Sequence, residues 1–167
     1  MSPGEKESGA GARPCGICGL IERIRTGKFP DFVAELPNSW AILGDAQFYR
    51  GYCILFAKQH ATELYLMPAD EARALFDEMR LVAEAIAAIV KPVKMNYECL
   101  GNLEAHVHWH LFPRFASESD ELKHAPVWAR PNAERMFALA DADRAALLAA
   151  LRDQIRTRIP DARIPRE

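Results

Sequence analysis

The stretch His106-Val107-His108-Trp109-His110-Leu111-Phe112 decides the fold. Three of the five histidines in the chain stand here at positions i, i+2 and i+4. In a β-strand alternate side chains point to the same face, so the three imidazoles share one face and the apolar residues between them take the other. On a helix the same spacing would scatter the rings around the axis. The pattern therefore predicts a strand with one histidine-lined face and one buried apolar face.

A row of neutral imidazoles is well suited to act on a phosphate group. Imidazole is a nucleophile at neutral pH and exchanges protons near its ordinary pKa of about 6.5. The central ring, His108, is flanked on both sides, which favours it as the nucleophile. His110 could bind the phosphate or pass a proton to the leaving group, and His106 could orient the strand. The alternative is a metal site or a structural cluster of the three rings, although no carboxylate is interleaved among them.

The flanks of the triad carry further signals. The triad is followed by the apolar pair Leu111-Phe112 and then by Pro113-Arg114, and Gly-Asn-Leu-Glu-Ala precedes it at residues 101–105. This arrangement resembles the signature of the histidine triad (HIT) superfamily of nucleotide hydrolases and transferases, and the resemblance runs from about residue 15 to residue 114. It implies that the middle histidine attacks the phosphorus of an AMP-linked substrate, such as a nucleoside phosphoramidate or a dinucleoside polyphosphate. Water would then hydrolyse the covalent nucleotidyl-histidine.

The same resemblance implies roles for neighbouring residues. Branches that transfer the nucleotide to a second phosphate tend to carry Gln at the position of His110, so a histidine there favours hydrolysis. By the same comparison Gly101 and Asn102 would line the phosphate site. Asn96 could reach that site, and Asp45 would lie near the ribose. No organic cofactor is implied.

Two positions depart from the pattern of the superfamily. Many of its hydrolases have a histidine where this chain has Tyr52, and a proline where it has Ala57. A phenol can donate a hydrogen bond but cannot become an imidazolium. Two alternative functions therefore stay open. One is a nucleotide-binding regulatory protein with weak or no catalysis, which Tyr52 favours, and the other is a nucleotidyltransferase of the same superfamily.

A Cys-x-x-Cys pair, Cys15 and Cys18, begins the globular part of the sequence. It could be a redox pair, half of a zinc site, or two thiols without a role. A redox pair normally caps a helix that follows a strand, and no strand pattern precedes this one. A zinc site needs two more ligands, and the resemblance to zinc-bearing HIT proteins nominates His60 and His106. Without the cysteines, His60 would be interpreted as a strand-end histidine bonded to the backbone.

Composition limits the classes of partner. The 167 residues carry a formal net charge of −2, which gives no general attraction for nucleic acid or for an anionic membrane. No apolar run has the length of a membrane span. Two cysteines lie close together and two are isolated in apolar stretches, which is unlike a disulfide framework. We therefore expect a soluble cytoplasmic protein that binds a small nucleotide, and neither nucleic acid nor membrane.

Periodicity predicts the remaining elements. The expected fold is α+β and HIT-like: an antiparallel sheet of about five strands, with a long amphipathic helix across one face and the triad opening on the other. A C-terminal helix beginning at a cap on Asp141 or Asp143 completes it. The predicted segments are a helix ending near residue 27, strands at 32–35, 40–43, 51–57, 93–100 and 105–113, a turn at 101–102, and helices between Pro68 and Pro92 and over 141–158.

The chain is predicted to be one domain with a short tail. Residues 1–14 are rich in Gly, Ser, Pro and charge, which predicts a disordered tail. Residues 15–167 would form a single domain, with its core in 15–115 and an extension in 116–167. The loop at residues 116–131 is predicted to form a lid or rim. The resemblance to HIT proteins also implies a homodimer.

Overall fold

The computed structural model describes residues 14–165. The predicted tail, residues 1–14, lies outside this range except for its last residue. Short 3-10 turns occupy Leu64–Leu66 and Val127–Ala129. The described helices and strands are, in chain order, α1 (Gly16–Arg25), β1 (Phe32–Glu35), β2 (Ser39–Leu43), β3 (Cys53–Ala57), α2 (Ala69–Val90), β4 (Lys94–Glu98), β5 (His108–Arg114), α3 (Asp120–Lys123), α4 (Asn132–Arg135) and α5 (Asp141–Arg158).

The five strands form one antiparallel sheet in the order β1-β2-β3-β5-β4. This confirms the predicted α+β architecture. Strand β5 lies between β3 and β4, so its residues pair on both sides: His108 stands opposite Phe56, and His110 stands opposite Ile54 on one side and Glu98 on the other. An interior strand holds its side chains more rigidly than an edge strand or a loop does. His108 and His110 are therefore carried by an interior strand of the sheet.

One face of the sheet is covered by α2 and α5. The apolar residues of the triad strand, Trp109 and Leu111, are buried on this face with the apolar stripe of α2. Helix α5 contributes Leu151 and Ile155 to the same core, and it contacts α2 and β1. The alternation predicted for residues 106–112 thus buries the intervening apolar side chains, as period two requires. Among residues 14–165 no helix is both long and apolar enough to cross a membrane.

Within residues 14–165, the histidine face of the sheet is covered at its two ends. Helix α1 packs on Trp40, Ile42 and Phe56 at one end. At the other end, part of the extension packs on an aromatic cluster, where Val127 is buried against Phe112. The rings of His108 and His110 lie between these two covers. A cleft therefore opens over the middle of β5.

A buried glutamate joins α2 to the sheet. Glu78 is 6% exposed, and its carboxylate accepts hydrogen bonds from the backbone N–H and the side-chain amide of Asn38, at 2.8 and 2.9 Å, and from the hydroxyl of Ser39. These residues form the turn between β1 and β2. The polar residue within the apolar pattern of α2 therefore fixes the hairpin to the helix.

Three local details differ from the predictions. Strand β5 begins at His108 rather than at residue 105, and β4 joins it through a nine-residue loop, 99–107, rather than a tight turn at 101–102. The N-cap of α5 is Ala140, with no side-chain hydrogen bond from either aspartate, although both lie in the first turn, where they favour the helix dipole. The loop is longer because Val107 bonds to the segment after β3 and not to β4: its N–H donates to the carbonyl of Ala61 at 2.8 Å.

Candidate active site and metal-ligand cluster

The side chain of His108 is oriented by the backbone. His108 begins β5 and is 8% exposed, and its Nδ1 lies 2.6 Å from the carbonyl oxygen of His106. A carbonyl oxygen only accepts hydrogen bonds, so Nδ1 carries the proton and Nε2 keeps its lone pair. A free lone pair on a positioned imidazole is what nucleophilic attack requires.

The second ring of the face, His110, is held by Tyr52. Its Nδ1 lies 2.6 Å from the hydroxyl of Tyr52, and its ring centroid lies 5.0 Å from that of His108. Burial, with a smaller contribution from His108, lowers the pKa of His110 to about 4, so this ring is neutral at pH 7. Burial also raises the pKa of Tyr52. The phenol therefore stays protonated and donates to Nδ1, which leaves the single ring proton of His110 on Nε2.

Tyr52 is packed so that its ring cannot turn away. Its ring stacks on Phe112 with centroids 4.1 Å apart and planes 14° apart. On the other side it approaches the backbone of Gly44, where a Cβ atom would lie only 2.3 Å from the tyrosine ring. Only glycine fits at that position. Phe112 and Gly44 thus accommodate the tyrosine that stands where many HIT hydrolases have a histidine, and they hold its phenol beside His110.

The ring of His106 belongs to a cluster with Cys15, Cys18 and His60. It is 1% exposed, and its Nδ1 lies 3.5 Å from the sulfur of Cys15, 3.7 Å from that of Cys18 and 3.4 Å from Nδ1 of His60. Its Nε2 donates to the carbonyl oxygen of Ala57 at 2.9 Å, which leaves the Nδ1 lone pair for the cluster. His106 precedes β5 and so escapes the strict alternation of the strand.

The cluster has the dimensions of a tetrahedral metal site. One atom from each of the four residues can be chosen so that all lie within 4.8 Å of one another. Ligand atoms at ordinary Zn–S and Zn–N distances would lie roughly 3.3–3.8 Å from each other. The distance from the sulfur of Cys18 to Nδ1 of His60, 3.5 Å, and the three distances at His106 all fall in this range. Two thiols and two imidazoles are also the donor set of many structural zinc sites.

A cavity of about 540 Å³ opens over His108 and His110, and we call it the triad cavity. Its floor is formed by the two rings, and one wall is the loop before β5. A second cavity, of about 460 Å³, lies on the other side of this loop and shares His108 and residues 100–102 with the first. The residues of the triad cavity used below are Gly101, Asn102, Glu104, His108, His110, Trp128 and Arg135.

Comparison with known families decides the identity of the fold. The HIT domain family matches residues 28–117, which is more than half of the chain. The chain belongs to the HIT family. Members of this family are hydrolases and transferases that act on nucleotides. No curated protein sequence matches the chain.

Solved structures of HIT proteins share the fold. A histidine triad protein from Bradyrhizobium japonicum is 23% identical and superposes with a TM-score of 0.67, over 78% of this chain and 94% of that chain. One from Marinobacter aquaeolei is 20% identical, with a TM-score of 0.67, over 82% and 95%. A zinc-bound histidine triad family protein from Mycobacterium smegmatis is 20% identical, with a TM-score of 0.57, over 86% and 94%. Identities this low support the fold alone.

Of the four residues predicted to contact the substrate of this HIT protein, two line the triad cavity and two do not. Gly101 and Asn102 line the triad cavity. Asn96 does not line it, because its side-chain oxygen accepts a hydrogen bond of 2.7 Å from Arg114. Asp45 is absent from both cavity walls, although its carboxyl is close enough to Tyr52 to contribute to the raised pKa of that phenol.

Sequence reasoning missed two cavity residues, Trp128 and Arg135. The indole ring of Trp128 meets His110 edge to face with centroids 5.4 Å apart, and its N–H donates to Glu98. The guanidinium of Arg135 lies 5.3 Å from the centroid of the indole. The loop at residues 116–131 was predicted only as a lid or rim, with no role for Trp128, and Arg135 lies beyond that loop. A tryptophan followed by basic residues in an otherwise irregular stretch is the one signal that could have nominated them.

Proposed function

We propose that this HIT protein is a nucleotide hydrolase that cleaves AMP-linked substrates through a covalent nucleotidyl-histidine on His108. The observation that carries the proposal is the bond from Nδ1 of His108 to the carbonyl of His106, which leaves Nε2 free beside the triad cavity. The candidate substrates are nucleoside phosphoramidates and dinucleoside polyphosphates. In both, AMP is joined through its phosphorus to a leaving group.

The reaction would proceed in two steps. Nε2 of His108 attacks the α-phosphorus, and the bond from phosphorus to the leaving group breaks with its electron pair passing to that group. The proton on Nε2 of His110 hydrogen-bonds a phosphate oxygen or the leaving atom. Water then attacks phosphorus and loses a proton to the solvent, the phosphorus–nitrogen bond breaks, and AMP is released as the lone pair returns to Nε2. His106 contributes its carbonyl oxygen rather than its ring.

The loop before β5 supplies donors for the phosphate oxygens. The backbone N–H groups of Gly101 and Asn102 have no hydrogen-bond partner within residues 14–165. Gly101 has a positive φ of 74°, which bends the loop where it lines the cavity. Successive free N–H groups at such a bend form a concave site suited to an anion. We infer that these two residues hold the phosphate during attack.

Turnover of two model substrates tests the proposal. Purified protein is incubated with an adenosine 5′-phosphoramidate and with diadenosine triphosphate, and AMP release is followed by chromatography. We expect release by the wild type, none by His108→Ala, and unchanged release by His124→Ala, a matched control whose ring is exposed and outside the cavity. The intermediate should appear as an acid-labile AMP adduct on the peptide that contains residue 108.

Other outcomes of the same assay would support the alternatives. Binding of AMP without release from either substrate would support a regulatory nucleotide-binding protein, which the neutral His110 beside Tyr52 favours. Transfer of AMP to added phosphate or a sugar phosphate, with no hydrolysis in water alone, would support a nucleotidyltransferase. Release by His108→Ala at the wild-type rate would refute the covalent route.

We also propose that Cys15, Cys18, His60 and His106 bind a structural zinc ion. The fit of the four donor atoms supports this, and so does the zinc reported for the Mycobacterium smegmatis relative. When bound, zinc would join the start of α1 to the entry of β5 and would supply folding energy rather than a step of the reaction. Protein purified without chelator should contain one zinc per chain, and Cys15→Ser should lose both the zinc and thermal stability. Full stability without zinc would overturn this.

A homodimer through the β4 edge completes the proposal. Strand β4 pairs only with β5 in the described sheet, so its outer edge is free to pair with another strand. Tyr97 on β4 is 48% exposed, and Val93 just before it is 68% exposed. A second copy of the chain joined at this edge would extend the sheet and cover both side chains.

A further inference from the structure

The extension brings a cation to the triad cavity, and it does so through a well-anchored segment. Arg114, the last residue of β5, forms a buried ion pair with Glu118 at 2.8 Å. Arg114 also donates to the carbonyl oxygens of Leu122 and Ala125, at 2.5 and 3.2 Å. These bonds fix the chain that leaves the sheet just before the turn containing Trp128. Trp128 and Arg135 are therefore held over His110 by the fold itself.

Arg135 differs from the other arginines of this region in its partners. Arg114 pairs with Glu118, and Arg130 pairs with Glu134 at 2.9 Å. Among residues 14–165 no carboxylate lies within ion-pair distance of Arg135. Its only hydrogen bond in that range is to the side chain of Asn132, and its Nε atom is buried without a partner. A cation stacked on an indole and facing a cavity without a counter-ion is suited to bind an anion.

The other polar groups of the cavity do not compete for Arg135. Glu104 also lines the cavity, but its carboxylate accepts a hydrogen bond of 2.8 Å from the backbone N–H of Gly16, at the start of α1. Glu98, which does not line the cavity, accepts from the indole N–H of Trp128. The guanidinium lies against the indole of Trp128, which also contacts the ring of His110.

We propose that Arg135 binds the phosphate chain of the leaving group, so that this enzyme prefers substrates in which AMP is joined to a further phosphate over substrates in which AMP is joined to an amine. The inference rests on the proposed hydrolase function and names its substrate class. Arg135 is a specificity-determining residue that touches the leaving group, and Trp128 is the platform that positions its guanidinium.

The chemistry of the neighbouring ring supports the same preference. An alkylamine has a pKa near 10 and must take up a proton as it leaves, whereas a phosphate with a second pKa near 6 leaves as an anion. His110 is neutral at pH 7 and its N–H is a weak acid, because burial and, to a smaller extent, His108 lower the pKa of the ring to about 4. Such a site assists an anionic leaving group, which needs charge neutralisation, better than an amine, which needs a proton.

A substrate pair tests the preference. The kcat/KM values for diadenosine triphosphate and for adenosine 5′-phosphoromorpholidate are measured with wild type, Arg135→Gln and Arg135→Lys. We expect Arg135→Gln to lower the value for the anhydride roughly tenfold or more, as loss of a charged hydrogen bond does, and to change the value for the amidate little. Arg135→Lys should restore part of the loss. Equal losses for both substrates, or no loss for either, would overturn the proposal.

A matched control separates local binding from general electrostatics. Lys123→Gln removes the same charge from the same extension, at a side chain 40% exposed and paired with Asp120. It lies outside the cavity walls, so it should leave the ratio of the two kcat/KM values unchanged. A loss for the anhydride equal to that of Arg135→Gln would show that net charge, and not the cavity cation, sets the preference.

Binding without turnover distinguishes this inference from the proposed function. Calorimetry compares AMP with the non-hydrolysable α,β-methylene analogue of ADP, which carries one further phosphate. The wild type should bind the analogue more tightly than AMP, and Arg135→Gln should bind the two equally. If wild type releases no AMP from any substrate, the hydrolase proposal fails while this comparison still tests Arg135. Equal affinity of the wild type for AMP and the analogue would overturn the role of Arg135.

Discussion

At the scale of single residues, the cleft is organised by hydrogen bonds that assign one proton to each ring. The carbonyl of His106 assigns the proton of His108 to Nδ1, and the hydroxyl of Tyr52 assigns that of His110 to Nε2. One ring therefore presents a lone pair to the cavity and the other presents a proton. Nucleophile and hydrogen-bond donor are distinguished by their partners, although both side chains are histidines on the same strand.

Removal of the Tyr52 hydroxyl tests this assignment. Tyr52→Phe keeps the ring stacked on Phe112 but removes the donor to His110, so the ring proton is free to move to Nδ1. We expect kcat for AMP release to fall by about tenfold, which corresponds to the loss of about one hydrogen bond. The thermal midpoint should change little. Tyr65→Phe is the control, because Tyr65 is 81% exposed, and an unchanged kcat in Tyr52→Phe would contradict the assignment.

The lowered pKa of His110 predicts how stability depends on pH. Its pKa is about 4 in the folded chain and about 6.5 when unfolded, so the folded state disfavours the protonated ring. The contribution of neutral His110 to the free energy of unfolding is therefore fully present above pH 6.5, and it is lost as the pH falls toward 4. Between pH 7 and pH 4.5 this group should account for roughly 2–3 kcal/mol of lost stability. The titratable groups in contact with the His110 ring are those of His108 and Tyr52.

Urea unfolding of a variant isolates this contribution. His110→Gln does not titrate, so its unfolding free energy should fall less than that of the wild type between pH 7 and pH 4.5. Any loss of stability at the cysteine-histidine cluster at low pH occurs in both proteins, so it cancels when the two unfolding free energies are subtracted. Parallel pH profiles for the two proteins would show that His110 titrates normally in the folded chain.

At the scale of elements, polar contacts fix the position of one element against another. Apolar packing alone is non-directional and would fix these positions less well. Glu78 is the example on the helix-covered face, where one carboxylate binds the turn between β1 and β2 by three hydrogen bonds. Arg114 has the same role on the cavity face, where it ties β5 to the extension. Both side chains are buried, at 6% exposed each, and both join separate elements of the fold by several hydrogen bonds.

Glu78→Gln should weaken the join between α2 and the hairpin. A glutamine has one side-chain acceptor where the carboxylate has two, and its amide would face donors of the turn. We expect the free energy of unfolding to fall by roughly 1–3 kcal/mol, measured in urea. Glu84→Gln is the matched control on the same helix, because Glu84 is 50% exposed and pairs only with Arg80 in the described chain. Its change should stay within about 0.5 kcal/mol, and an equal effect of both variants would contradict the role of Glu78.

At the scale of the whole molecule, the sheet has one face covered by helices, one face that carries the cleft, and an outer edge at β4 that pairs with no further strand among residues 14–165. The helices cover the apolar side, and the cleft occupies the histidine side. The outer edge of β4 carries backbone groups that a further strand would satisfy. Assembly with a second copy is the arrangement that would remove this edge from solvent.

The proposed dimer makes a prediction about mass in solution. Sedimentation equilibrium should give twice the mass of the chain, and Tyr97→Glu should shift the equilibrium toward the monomer, because it places a charge at the joined edge. Tyr65→Glu is the control at a side chain that is 81% exposed and belongs to the 3-10 turn Leu64–Leu66, not to β4. A wild-type protein of monomeric mass would contradict the dimer.

Much of the fold followed from local periodicity. The alternation around the triad identified an extended segment that buries Trp109 and Leu111, and the three-to-four spacing identified both long helices. The range predicted for α5, residues 141–158, agrees with the structure. Regular spacing is legible in a sequence because a strand or helix repeats its environment at a fixed interval. Likewise the Cys-x-x-Cys pair and the HIT resemblance together nominated the four residues that the structure places in one cluster.

What the sequence determined by itself, then, is the set of elements and the residue types that can carry chemistry. The tertiary structure alone decided that Arg114 donates a hydrogen bond to Asn96 and that Arg135 lines the triad cavity. The Tyr52–His110 bond joins residues 58 positions apart, and the bond from Arg114 to Asn96 joins residues 18 apart. Such contacts have no period along the chain. They depend on how strands and extension pack, and packing is settled only when the whole core forms.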